Sequence, residues 1–220
     1  MRVELVRARG NASAPDRIVV LPGANQGPTD VLRAGFADAI QARGLAVDLA
    51  LVDMTLAHVT DRSVLVDLHS QVVAPARAAE CARIWIAGLS LGGMMALLYA
   101  AKYPAELHGL CLLAPYLGNR MILTEISRYG SLADWNANAG AMQRDELAEE
   151  RDLWRFIAQQ SLPDPKWYLG FGREDRFVTA HRLLAKQLPL CAVDEIEGGH
   201  DWPVWSQLWD RFLQRLALPK

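Results

Sequence analysis

Short apolar runs alternate along the chain with longer stretches in which apolar residues recur every three or four positions. This is the pattern of a parallel sheet whose strands are joined by crossover helices. The runs read as strands are Val3–Arg9, Ile18–Leu21, Ala46–Val52, Arg83–Gly88, Leu107–Ala114, Trp167–Phe171 and Ala192–Ile196. Helical spacing predicts helices over Val31–Arg43, Ser63–Ala79, Ala96–Tyr103, Thr179–Gln187 and Pro203–Leu216. Thr29 or Asp30 is placed to cap the first of these and Gly44 to end it, and Pro75 is expected to bend the second. In the last helix Trp205, Leu208, Trp209 and Phe212 fall on one stripe and read as core. The fold class that follows is α/β, a three-layer α/β/α sandwich with a mostly parallel sheet.

One stretch breaks the alternation. Pro115–Asp164 is far longer than the connections of about 4–6 residues usual between elements. It holds a glycine- and asparagine-rich part (Asn136, Asn138, Gly140) and a charged helix over Arg144–Ala158. The segment is expected to be an insertion, residues 115–164, inside a single domain that spans residues 1–220.

Composition narrows the classes of function. With 51% hydrophobic and 22% charged residues, the chain has enough apolar material to bury a sheet on both faces. A net charge of −2 gives no electrostatic reason to expect a nucleic-acid or anionic-membrane partner. The segment Met1–Gly10 interrupts its apolar residues with Arg2, Glu4, Arg7 and Arg9 and does not read as a signal peptide. No uncharged run approaches the ~20 residues that span a bilayer, so a cytoplasmic location is the default expectation. Cys81, Cys111 and Cys191 are odd in number, lack metal-ligand spacing and are expected to be reduced packing residues.

Candidate chemistry centres on Gly88-Leu89-Ser90-Leu91-Gly92-Gly93. At a frequency of about 7% each for Gly and Ser, G-x-S-x-G arises by chance in roughly one chain of this length in fifteen, so context carries the weight. A strand with Ile84, Trp85 and Ile86 leads in, and an alanine-rich helix leads out. A sharp strand-to-helix turn exposes a strained serine, and flanking glycines leave room for nearby backbone.

A serine hydroxyl needs a base. Of the five histidines, His200 alone follows a late strand directly, in Gly198-Gly199-His200, at the sheet edge where the Ser90 turn lies. His58 sits in a loop at that edge and is second choice. His69, His108 and His181 fall in or beside regular elements. The carboxylate that orients the imidazole is sought in Gly172-Arg173-Glu174-Asp175, which follows the strand ending at Phe171. Asp175 is preferred; Glu174 and Asp201 are rivals, the latter suited to the N-terminus of the last helix. Pro115–Asn119, after the strand ending at Ala114, contains no acid. Oxyanion donors are expected from the Leu91 N–H and from the loop after the second strand, at Ala24 or Asn25.

Taken together, these residues resemble the α/β-hydrolase fold family, from about Ile18 to Leu216. The order serine, acid, histidine is the family's. Gly172-x-x-Asp175-x-x-Val178 and Gly198-Gly199-His200-x-Trp202 are similar to its acid and histidine signatures. The chain departs in having Pro22-Gly23 where many relatives have His-Gly. The narrower resemblance is to small bacterial serine hydrolases of unassigned specificity. It implies a nucleophile elbow at Ser90, a cap inserted over 115–164, and no metal or cofactor. Serine rather than aspartate at position 90 argues against dehalogenase and epoxide hydrolase branches.

The leading expectation is hydrolysis of a modest, neutral carboxylic ester through an acyl-enzyme. Acyl transfer on the same triad and a catalytically silent small-ligand-binding protein are alternatives. Trp135 and Trp154 are candidate substrate-pocket walls, and Arg120 and Arg128 are candidate partners for a substrate carboxylate.

Overall fold

The computed structural model describes residues 1–8, 14–61, 63–138, 147–159 and 166–216. The apolar runs become strands β1 (Arg2–Val6), β2 (Asp16–Leu21), β3 (Val47–Asp53), β4 (Arg83–Leu89), β5 (Gly109–Leu113), β6 (Lys166–Gly172) and β7 (Val193–Ile196). They form one sheet in the order β1-β3-β2-β4-β5-β6-β7. Every pairing is parallel except β1 with β3. Strands buried on both faces need continuous rather than alternating apolar sequence, and Val19, Val20, Leu51, Ile86, Leu112 and Leu169 are all fully buried or nearly so.

The helices are α1 (Pro28–Arg33), α2 (Phe36–Ala42), α3 (Leu56–Thr60), α4 (Ser63–Leu68), α5 (Ala74–Ala78), α6 (Leu91–Lys102), α7 (Arg120–Ser127), α8 (Leu132–Asn138), α9 (Ala148–Gln159), α10 (Val178–Ala185) and α11 (Trp202–Arg215). On one face, α2 and α11 pack together: Phe36 stacks on Trp209 with centroids 4.6 Å apart, and Trp209 Nε1 donates to the Phe36 carbonyl at 3.1 Å. The stripe Trp205, Leu208, Trp209 and Phe212 is buried there, as its spacing predicts. On the other face α6 lies across β4 and β5, with α4 and α9 against it. The result is the three-layer sandwich.

Several boundaries differ from the sequence expectation for identifiable reasons. The helix expected over Val31–Arg43 is two helices. Pro28 starts the first, where its missing N–H is harmless, and Asp30 accepts from the N–H of Gly27, which is the cap in place of Thr29 or Asp30. Gly35 at φ 82° separates the two. The expected bend at Pro75 appears as a π-helical turn, His69–Val73, between α4 and α5, because a proline ring crowds the backbone of the preceding turn. The first strand ends at Val6, and Arg7 turns to the buried Asp48 at 3.3 Å. Cys81 and Cys111 are buried, but Cys191 is exposed in the 3-10 turn Leu190–Ala192. Among the described residues no helix is long and apolar enough to cross a membrane.

The chain order positions the site. From β2 it moves outward to β3, then crosses back over β2 to form β4. Such a reversal opens a crevice beyond the carboxyl ends of the two central strands, where α/β sheets commonly bind ligands. The Pro22–Gln26 loop and the Ser90 turn leave β2 and β4 there.

Candidate active site

Ser90 lies between the last residue of β4 and the first of α6, with φ 49° and ψ −113°. Its neighbours hold that left-handed conformation in place. The Ser90 N–H donates to Leu113 O at 3.0 Å, and Ser90 O accepts from Gly93 N (2.9 Å) and Tyr116 N (2.8 Å). The turn fits only because Gly92 lacks a side chain, since a Cβ there would stand 2.1 Å from Leu21 O.

Asp175 and His200 follow β6 and β7, and backbone contacts draw the two loops together. A Cβ on Gly172 would sit 2.0 Å from Gly198 O. Arg173 N donates to Ile196 O at 2.8 Å, and Glu174 N to Gly198 O at 3.1 Å. The structure thereby brings three expected residues into one relay. Ser90 Oγ is 2.8 Å from His200 Nε2, and His200 Nδ1 is 2.7 Å from Asp175 Oδ2. The second oxygen, Asp175 Oδ1, accepts from Phe177 N at 2.8 Å.

Burial of Asp175 would raise its carboxyl pKa, but hydrogen bonds from His200 and the Phe177 N–H outweigh it and hold the group below its ordinary value. An ionised Asp175 requires Nδ1 to carry the ring proton, which leaves the Nε2 lone pair to accept from the Ser90 hydroxyl. The imidazole is also fixed edge-on by two rings, Phe177 at 5.2 Å and Trp205 at 5.1 Å.

The rival residues have other partners. Glu174 is exposed, and its carboxylate accepts from Gly198 N. Asp201 caps α11 through Val204 N at 3.2 Å. His58 bonds to Thr55 at the start of α3. His69 stacks on Tyr103, and His108 lies against Trp85. His181 is fully buried, and its Nε2 donates to Pro115 O at 2.9 Å. Burial pushes its pKa down to about 4.

At the expected oxyanion positions, Leu91 is the first residue of α6, where a backbone N–H has no partner within its own helix. Ala24 and Asn25 are exposed in the loop after β2, and Asn25 has φ 59°. Gln26 shapes that loop: its Oε1 accepts from Gly23 N at 3.0 Å, and a Cβ on Gly23 would lie 3.5 Å from Ser90 Cβ. The loop therefore packs directly against the serine.

Trp135 and Trp154 are not cavity walls. Both are fully buried and lie among the helices that follow β5. Trp135 Nε1 donates to Glu125 Oε1 at 3.0 Å, and Trp154 Nε1 to Leu117 O at 2.9 Å. An indole whose polar edge is satisfied inside the protein is free to bury its whole surface, and here both do so as core. Arg151 meets the same Glu125 at 2.8 Å. The charged helix expected over Arg144–Ala158 is α9, and residues 139–146 and 160–165 lie outside the described residues. Sequence reading missed Phe177, which both clamps His200 and donates to Asp175. Its place two residues after the acid is the available signal.

A family model described as serine aminopeptidase, S33, matches residues 54–152, which include the Ser90 turn but stop short of Asp175 and His200. No curated protein sequence matches the chain. Among solved structures, the chain is similar to S-formylglutathione hydrolase (FrmB) from Staphylococcus aureus. That match has TM-score 0.60 and 12% identity, over 94% of this chain and 83% of that one. It is similar to Est1E from Butyrivibrio proteoclasticus at TM-score 0.59 and 18% identity, over 96% and 92%. A predicted CIB-like hydrolase from Thermoplasma acidophilum matches at TM-score 0.57 and 17% identity, over 98% of both chains. The sheet order, the serine turn, the matched family model and these neighbours agree, and the chain has the α/β-hydrolase fold.

Proposed function

We propose that the chain is a serine hydrolase that cleaves a carboxylic ester, with Ser90 as nucleophile, His200 as general base and acid, and Asp175 as the orienting carboxylate. The observation that carries this reading is the pair of hydrogen bonds, 2.8 and 2.7 Å, linking Ser90 Oγ through His200 to Asp175. Ser90 Oγ attacks the ester carbonyl carbon as its proton passes to His200 Nε2. The resulting oxyanion takes hydrogen bonds from Leu91 N and from the Ala24–Asn25 backbone. Collapse breaks the bond to the alcohol, which leaves with the proton from His200. Water then repeats the sequence on the acyl-enzyme, giving up a proton to His200 and releasing the acid and free Ser90. The positive end of α6 supports the developing charge. The helices α7, α8 and α9 that follow β5 act as a cap.

The reading is tested with a fluorophosphonate probe and 4-nitrophenyl acetate. The native protein is labelled and turns over the ester. Ser90→Ala is not labelled, keeps its fold and loses on the order of 10⁶-fold in kcat. Full turnover by that variant, or labelling at another serine, overturns the assignment.

A further inference from the structure

Beside the triad, α7 and α10 enclose a groove formed by two adjoining cavities of about 680 and 430 Å³ that share Leu123, Ser127 and Thr179. Its charge is one-sided. Among the described residues four that line it are basic, Arg120, Arg176, Arg182 and Lys186, and none is acidic, although the whole chain has 25 acidic against 23 basic residues. Arg182 is paired with Glu195 at 2.7 Å. Among the described residues, no ion pair is formed by Arg120, Arg176 or Lys186. The Glu150 side chain packs against Gly118, and its carboxylate accepts from Asn119 Nδ2 at 3.5 Å, so one acid stands next to the groove at its Asn119 end without lining it.

The groove also reaches the triad's own neighbours. Its wall includes Tyr116 and Phe177, whose rings meet edge-to-face at 5.4 Å. Phe177 is the ring against His200, and the Arg176 guanidinium lies 4.8 Å from the centroid of that same ring. One aromatic side chain thus connects an unpaired cation to the imidazole.

We propose that this groove binds a negatively charged group of the ester, a carboxylate or a phosphate, so that the substrate is acidic rather than neutral. The inference rests on the reading of Ser90 as the acylated nucleophile. Arg120 and Arg176 supply the attraction, and the hydroxyl of Thr179 stands on the same wall, whereas those of Thr124 and Ser127 donate to carbonyls of their own helix. A neutral ester forgoes these contacts and leaves the cations solvated, which is the basis of discrimination. Exposed charges are screened by salt, so the preference shrinks as ionic strength rises.

Two measurements test it. Titration of the native protein with glutarate and, separately, with inorganic phosphate at low salt, followed by NMR, reads anion binding without any catalysis. Saturable shifts of groove residues are expected, weakened about tenfold in the double variant Arg120→Gln/Arg176→Gln. The second measurement compares kcat/KM for 4-nitrophenyl acetate with two acidic esters. In 4-nitrophenyl hydrogen glutarate the charge is on the acyl side, and in 4-acetoxyphenyl phosphate it is on the leaving group. At least one is preferred over acetate, and the double variant lowers that preference about tenfold, mainly through KM. Lys102→Gln, at the opposite edge of the sheet, leaves the ratio as it was. No anion binding, or a ratio unmoved by the double variant, overturns the groove. Anion binding without labelling or turnover of any ester overturns the hydrolase reading and leaves the groove standing.

Discussion

The triad is held by main chain, whereas the helices that follow β5 are held by side chains. Around Ser90, Asp175 and His200, neighbouring strand ends exchange N–H and carbonyl groups and approach so closely that Gly92 and Gly172 admit no Cβ. Across α7, α8 and α9 the ties run through one carboxylate. Glu125 receives Arg151 Nη2 at 2.8 Å and Trp135 Nε1 at 3.0 Å, while Trp154 reaches Leu117 O. A site framed by backbone survives many side-chain changes and fails sharply at the few groups that do the chemistry. A region framed by a buried ion pair fails in stability first.

The sharpest way to break this contrast is Asp175→Asn. It preserves size and the bond from Phe177 N, so the Ser90–His200 spacing is retained, while turnover falls about 10⁴-fold because the amide stabilises the wrong imidazole tautomer. Near-normal turnover in a pre-steady-state assay would remove Asp175 from the site. In the helical region the corresponding change is Glu125→Ala. Removing the carboxylate shared by Arg151 and Trp135 should lower unfolding free energy by about 3 kcal/mol, read from the shift in denaturant midpoint. A loss under about 1 kcal/mol would mean that these helices do not depend on that pair.

His181 gives an effect of similar size but tuned by pH. Its pKa is pushed down to about 4 by burial, against about 6.5 for an unfolded histidine. The unfolded chain takes up the proton first as pH falls. Stability present above about pH 6.5 is therefore lost progressively toward pH 4, by on the order of 3 kcal/mol. His181→Gln retains a donor for Pro115 O but has no such titration, so its unfolding free energies at pH 7 and pH 4 should differ by that much less. Equal pH dependence in both proteins would show that the native imidazole protonates freely. The smallest effect is expected at Glu174→Gln. The amide oxygen still accepts from Gly198 N, and kcat/KM should stay within about threefold. A loss comparable to that of Asp175→Asn would move the acid by one residue.

These differences also explain what was legible in the sequence. Continuous apolar runs announce buried parallel strands, and glycines flanking Ser90 or preceding His200 announce close backbone approach. Seven strands and the three residues of the relay could be read on that basis. The break at Gly35 was not, because Leu32, Phe36 and Ile40 keep helical spacing straight through it. The role of the tryptophans after β5 was not legible either. Their burial depends on Glu125 and Leu117 O, partners that lie 10 and 37 residues away, and no local period records such a pairing. His181 reads as an ordinary helical residue because its contact with Pro115 spans 66 positions.

Asn25, Ser90 and Ala114 have φ values of 59°, 49° and 47°; Ser90 and Ala114 directly follow β4 and β5, and Asn25 lies in the loop after β2. Side chains resist this backbone conformation by roughly 1–3 kcal/mol each, whereas glycine adopts it freely. On the role proposed for Ser90, the residue that reacts at position 90 is therefore not the one that folds best. A laboratory selection for hardier variants, run without an activity screen, would be drawn toward glycine at these positions and would return a sturdier protein that no longer reacts.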